Sequence, residues 1–230
     1  MRTSRLTLTA RWIRSNRGLI IFILLFGLFR TAVADWNPIP SGSMRPTLLE
    51  GDVVFVNRLA FNLKVPLTNV VVARLGEPRR GDVVTFFSPR DGTRLIKRLV
   101  AVPGDTVEMR NKILIVNGRP ATYAPIGTAP EELAPGIETE ALRLDERTND
   151  REHLVQWLGP SGDRDNFGPI AISADHYLML GDNRDNSADS RYFGLVPREL
   201  IIGRAVMILA SADINGRFAP RLERFGERLD

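Results

Sequence analysis

Gly51-Asp52-Val53-Val54-Phe55-Val56 reads as a tight turn running into a buried strand. Gly-Asp reverses the chain, and β-branched and aromatic residues in succession suit a pleated, covered surface. The pattern recurs. Arg80-Gly81-Asp82 leads into a run over residues 83–87, and Gly104-Asp105 leads into residues 106–109. Asn117-Gly118 after residues 112–116 is a hairpin signal. Strand character returns at Tyr177-Leu178-Met179-Leu180 and over residues 200–209. Together these predict a mainly β, mostly antiparallel body. Residues 119–169 break the pattern, with Pro120, Pro125, Pro130, Pro135, Pro160, Pro169, many acids and few long apolar runs. They read as an insertion or small subdomain, partly mobile, which splits the core into two flanking halves.

The 230 residues, 43% hydrophobic and 25% charged, suffice for one well-buried core with an appended subdomain. The chain has no cysteine, which excludes disulfides, thiolate catalysis and Cys-ligated metals. Only His153 and His176 are present, so a His-rich metal site is not expected; no cofactor is expected either. A Ser-His-Asp triad would have to use one of these two. The formal charge of +4 is mild and concentrated before residue 18. It forms no basic stripe interleaved with aromatics, so no nucleic-acid partner is expected.

Arg2, Arg5, Arg11, Arg14 and Arg17 precede an apolar run over residues 18–29 that extends less purely to Ala34. Positive charge ahead of an apolar segment leaves the N-terminus in the cytoplasm and sends the remainder across. The run is a retained anchor or, since Ala32-Val33-Ala34 has a small-x-small form, a cleavable signal peptide. The same site raises self-processing as a question. Asp35-Trp36-Asn37-Pro38 reads as an interfacial turn. The expected organisation is a basic N-terminus over 1–17, an anchor over 18–34 and a core first part over 35–118. The insertion (119–169), a core second part over 170–210 and a tail over 211–230 follow. In the tail, Phe218, Leu222, Phe225 and Leu229 stand at helical spacing among Arg217, Arg221, Arg224 and Arg228, the pattern of a basic amphipathic helix.

Three stretches carry candidate chemistry. Ile39-Pro40-Ser41-Gly42-Ser43-Met44-Arg45-Pro46-Thr47-Leu48 holds two hydroxyls one residue apart, bracketed by prolines. It is either a linker or a stiff loop that aims a nucleophilic serine. Arg94-Leu95-Ile96-Lys97-Arg98-Leu99-Val100 is strand-like, and period two sets Lys97 on one face with Leu95 and Leu99. Burial there disfavours the ammonium. To act as a base at neutral pH, a lysine must fall from about 10.4 to about 7–8. A lysine snorkelling at a sheet edge is the alternative. The third stretch, Gly181-Asp182-Asn183-Arg184-Asp185-Asn186-Ser187-Ala188-Asp189-Ser190-Arg191, follows a buried-looking strand. It lacks the spacing of a calcium loop and fits a rigid support held by Asp–Arg pairs.

These stretches together resemble the bacterial type I signal peptidases, membrane-bound serine proteases with a Ser–Lys dyad. Pro40 through Leu48 matches the serine box. Arg80-Gly81-Asp82-Val83-Val84 and Ile96-Lys97-Arg98 through Val102-Pro103-Gly104-Asp105 match the lysine box, and Gly181 through Arg191 the third. The resemblance covers about residues 18–118 and 170–209. It implies an antiparallel β-sheet protease core with an inserted smaller subdomain, behind one N-terminal transmembrane helix. It implies Ser43 as nucleophile and Lys97 as general base, with Ser41 and the Ser43 backbone N–H forming an oxyanion hole. Ser187 is then expected to orient Lys97, with Asp189 and Arg191 as the structural pair behind it. Ile39, Pro40, Met44, Leu48 and Ile96 are expected to line the substrate pockets. The implied substrates are preprotein signal peptides cut after small-x-small sequences, by a monomer in the lipid bilayer of the bacterial inner membrane. Its catalytic domain would lie on the outer side. Asn37 and Pro38 depart from the apolar or aromatic residues common there, which implies a wider or more polar outer pocket. The rival readings are a conjugative-pilin-type maturation peptidase with the same dyad and a non-catalytic, membrane-anchored β-rich interaction protein.

Overall fold

Alternation of covered and open side chains builds the body. The computed structural model describes residues 12–65, 68, 70–134, 137–148, 151–159 and 165–229. Helix α1 (Arg17–Ala32) leads into β1 (Ala34–Pro38) and β2 (Asp52–Asn57). In β2 the covered positions are Asp52, Val54 and Val56, every second residue. A small hairpin follows, β3 (Asn62–Lys64) with β4 (Val71–Arg74), and then β5 (Val83–Phe87) and β6 (Arg94–Ala101). From Ile96 onward β6 is buried on both faces, because different apolar clusters pack against its two sides.

Next come β7 (Thr106–Arg110), β8 (Ile113–Val116) and β9 (Arg119–Pro120). They are followed by β10 (Thr122–Ala134), β11 (Ile137–Thr148) and β12 (Arg151–Trp157). The chain finishes with β13 (Phe167–Ala171), β14 (His176–Leu180), the one-turn helix α2 (Ser190–Phe193), β15 (Val196–Pro197) and β16 (Ile201–Ser211). The main sheet has the order β1-β2-β16-β5-β6-β14-β15, and every neighbouring pair is antiparallel. Strands β13-β7-β8-β9 form a second sheet and β10-β11-β12 a third. The architecture is thus mainly β and antiparallel, as the repeated Gly-Asp turns predict.

Three local expectations change. Residues 34–38 are not an interfacial turn but the edge strand β1, in which Trp36 pairs across to Phe55; Trp36 also lies under the Arg30 guanidinium, 4.1 Å from the ring centroid. The segment after β16 is not an amphipathic helix. Pro220 and Gly226, the latter at φ +81°, interrupt it, and a single 3-10 turn over Leu222–Arg224 is its only helical piece among the described residues. The insertion, read as a break in the strand pattern, forms long paired strands: β10 and β11 run together from Thr122↔Arg147 to Ala134↔Ile137.

Helix α1 is sixteen residues, about 24 Å at 1.5 Å per residue. Its apolar side chains are exposed, Leu19, Phe22, Leu25 and Phe29 among them. Among the described residues no helix is long and apolar enough to cross a membrane.

Candidate active site

The serine loop connects β1 to β2 and is pinned at its base by paired backbone bonds, Ile39 N–H to Asp52 O (2.8 Å) and Gly51 N–H to Ile39 O (2.9 Å). Inside it, Gly42–Met44 makes a single 3-10 turn with Ser41 extended before it. Met44 turns into the core with Ile39 and Leu48, and this anchoring leaves Ser43 half-buried at the surface of the sheet. Asn183 holds the turn from the other side. Its backbone N–H donates to Ser43 O (3.2 Å) and its side-chain amide to Gly42 O (3.1 Å).

Lys97 lies on β6 opposite Val84 of β5 and is only 3% exposed. Its Nζ is 2.6 Å from Ser43 Oγ and also donates to Ile96 O at 2.9 Å. Burial pulls its pKa down from the ordinary lysine value to about 8, against the opposing pull of the Asp189 and Asp182 carboxylates. An amine so placed is substantially neutral in mildly alkaline solution and can accept the serine proton. Ser41 Oγ stands 3.5 Å from Ser43 Oγ.

Residues 181–191 form the floor. Asp189, fully buried, accepts from Gly181 N–H (3.0 Å) and from the Arg191 guanidinium (2.9 and 2.8 Å), and caps α2 through Arg191 N–H. Gly181 must be glycine: a Cβ there would stand 2.4 Å from Ser43 O and 2.2 Å from Ser187 Oγ. Ser187 therefore packs against the strand end beside the dyad. Contrary to its expected role, no hydrogen bond joins it to Lys97, and among the described residues its Oγ has no partner. Lys97 is instead oriented by Ser43 and its own strand's carbonyl.

The expected pocket residues divide. Met44 and Leu48 are completely buried, so they support the loop from beneath and present no surface to a substrate. Ile39 and Ile96 join the same cluster and are almost as deeply covered, while Pro40 is exposed. No hydrogen bond joins either histidine to Ser43 among the described residues. His153 lies 3.4 Å from Glu146, and burial pulls its pKa down to about 4. His176 Nδ1 sits 2.9 Å from Ala174 O.

Sequence reasoning missed the polar lattice beneath the site. Arg98, next to Lys97, forks onto Asp182 (Nε to Oδ1, 2.9 Å; guanidinium to Oδ2, 2.8 Å), and Thr47 Oγ1 donates to the same carboxylate at 2.6 Å. Burial alone would raise the Asp182 pKa; Arg98 outweighs it and holds the carboxyl below its ordinary value. Glu131 of β10 accepts from Arg45 (2.8 Å) and Asn183 (3.3 Å), which ties the insertion to the serine loop. Buried Glu146 of β11 takes the Arg184 guanidinium and the Tyr123 hydroxyl. The available signal was Arg98 itself, a third basic residue, after Arg94 and Lys97, in a strand whose other residues are apolar, which requires a buried acid as partner.

A family model described as signal peptidase, peptidase S26, matches residues 10–210. Signal peptidase I of Pseudomonas aeruginosa is 36% identical over 204 residues, covering 84% of this chain and 69% of that protein. That of Rickettsia typhi is 32% identical over 229 residues, covering 91% and 84%. A solved signal peptidase I from Enterococcus faecalis V583 is 29% identical and covers 56% of this chain and 96% of its own. Its TM-score of 0.33 is too low to argue shared architecture. The serine loop, the buried lysine and the family match across most of the chain agree: the chain belongs to the signal peptidase S26 family, serine peptidases that remove signal peptides.

Proposed function

We propose that the chain cleaves exported preproteins after small-x-small signal-peptide sites, with Ser43 as nucleophile and Lys97 as its general base. The observation that carries this reading is the 2.6 Å contact between Lys97 Nζ and Ser43 Oγ in a site where the lysine is buried. In the first step, neutral Lys97 takes the Ser43 proton as Oγ bonds to the scissile carbonyl carbon. The carbonyl π electrons move onto oxygen, and Ser41 Oγ with the Ser43 backbone N–H supports the resulting oxyanion. Collapse expels the new amino terminus, which receives the proton from Lys97. Water, deprotonated by the same amine, then attacks the acyl carbon; the bond to Ser43 Oγ breaks, Oγ takes the proton back from Lys97, and the signal peptide leaves with a new carboxyl terminus. Asp189 and Arg191 hold the floor, and Ser187 packs against Gly181 next to the serine loop. Pro40, the exposed member of the expected pocket set, borders the path of an extended substrate strand.

The exposed apolar surface of α1, with the arginines that precede it, supports attachment to the inner membrane with the N-terminus cytoplasmic and the catalytic body outside. Substrates leaving the membrane would meet the site there. The test is a peptide with an apolar stretch ending in Ala-x-Ala, incubated with detergent-solubilised enzyme and analysed by mass. Cleavage immediately after the second Ala is expected. Cleavage elsewhere, or none by folded enzyme, would reject the assigned specificity.

A further inference from the structure

The family match ends at residue 210, yet the segment beyond it reaches back to the loop that carries Ser43. Arg224 Nε donates to Asp52 Oδ1 (3.1 Å), and one of its terminal nitrogens donates both to Asp52 Oδ2 (2.7 Å) and to the Thr47 carbonyl (2.9 Å). Asp52 is completely buried, and the same Oδ2 accepts from Leu49 N–H at 2.8 Å. Thr47 is thus held on both sides, by its carbonyl from Arg224 and by its hydroxyl from Asp182. Arg221 adds a bond to Glu50 O at 3.0 Å.

The clamp has a fixed base. Glu227 O accepts from Ile208 N–H, Gly226 N–H donates to Ile208 O, and Leu229 N–H donates to Val206 O, so the segment runs along β16. Leu229 is buried in the same cluster as Ile39, Met44 and Leu48. The Arg224 side chain is 14% exposed and its partner not at all, so the pair is weakly screened, unlike an ordinary surface bridge. A planar guanidinium spans a carboxylate and a carbonyl together; an ammonium is a single point.

We infer that Arg224 is a positioning residue: it clamps the serine loop at Thr47 and Asp52 and so keeps Ser43 Oγ within reach of Lys97 Nζ. The inference rests on the Ser43–Lys97 reading. Displacement of a reacting group by about 1 Å costs up to about 100-fold in rate. The test compares Arg224→Ala, Arg224→Lys and Ser43→Ala with wild type on the Ala-x-Ala peptide, well below each variant's melting temperature. Arg224→Ala is expected to lower kcat about 10- to 100-fold with KM changed less than about twofold, and millimolar guanidinium is expected to restore part of the loss. Arg224→Lys, which keeps the charge but not the fork, is expected to fall between the two and covers the case in which the alanine variant does not fold. Unchanged kcat in a folded Arg224 variant, with Ser43→Ala inactive, overturns the clamp alone. Cleavage by Ser43→Ala overturns the dyad and the clamp with it.

Discussion

Ser43→Ala is expected to lower kcat by about 10⁶-fold and Lys97→Met by about 10⁴-fold, read as cleavage of the Ala-x-Ala peptide. Alanine leaves no atom to form the acyl bond. Methionine is close to lysine in length and volume, so the core around β6 should hold, but it cannot take a proton. Lys97 Nζ is hydrogen-bonded directly to Ser43 Oγ at 2.6 Å, and the proposed mechanism makes the two residues one unit. The double variant should therefore be no slower than Ser43→Ala alone. Retention of activity within tenfold by Lys97→Met would remove the lysine as base.

Asp182→Ala is expected to destabilise the protein by about 3–5 kcal/mol, the cost of leaving a buried guanidinium unpaired. The Arg98 and Asp182 side chains are 4% and 0% exposed, so water cannot compensate Arg98. Urea unfolding would measure the loss, and a value under about 1 kcal/mol would contradict the assigned burial. Arg98→Met with Asp182→Leu should cost less than the sum of the single variants, since an apolar pair leaves no stranded charge. The pH dependence has a definite sign. Arg98 depresses the Asp182 pKa below the reference value of 3.8, so the stabilisation is complete above that value and is lost as pH falls through the lower folded value.

Much of the site was legible because short-range rules govern it. A lysine between Leu95 and Leu99 on a period-two strand has to be buried if the strand is central, and β6 is central. Gly-Asp turns before β-branched runs mark strand starts whatever the tertiary context. Features set by long-range partners were not legible. Asp35–Pro38 has turn composition but becomes a strand because β2 offers an edge to pair with. Met44 and Leu48 look like pocket residues in a loop motif, yet the loop needs them as apolar anchors. Helical spacing of Phe218, Leu222 and Phe225 says nothing about an Arg224–Asp52 bond spanning 172 positions. Glu131 and Glu146 are two of many acids in a proline-rich insertion, and only the fold turns them inward onto Arg45 and Arg184.

The central claim is that a neutral, buried Lys97 activates Ser43. The pH dependence of kcat/KM for peptide cleavage tests it most directly, since that profile titrates the free enzyme. The base must be unprotonated, so activity should rise with pH through a midpoint near the value of about 8 that burial imposes on Lys97, and then level off. A midpoint near the reference lysine value of about 10.4, or near the histidine value of about 6.5, would contradict the account.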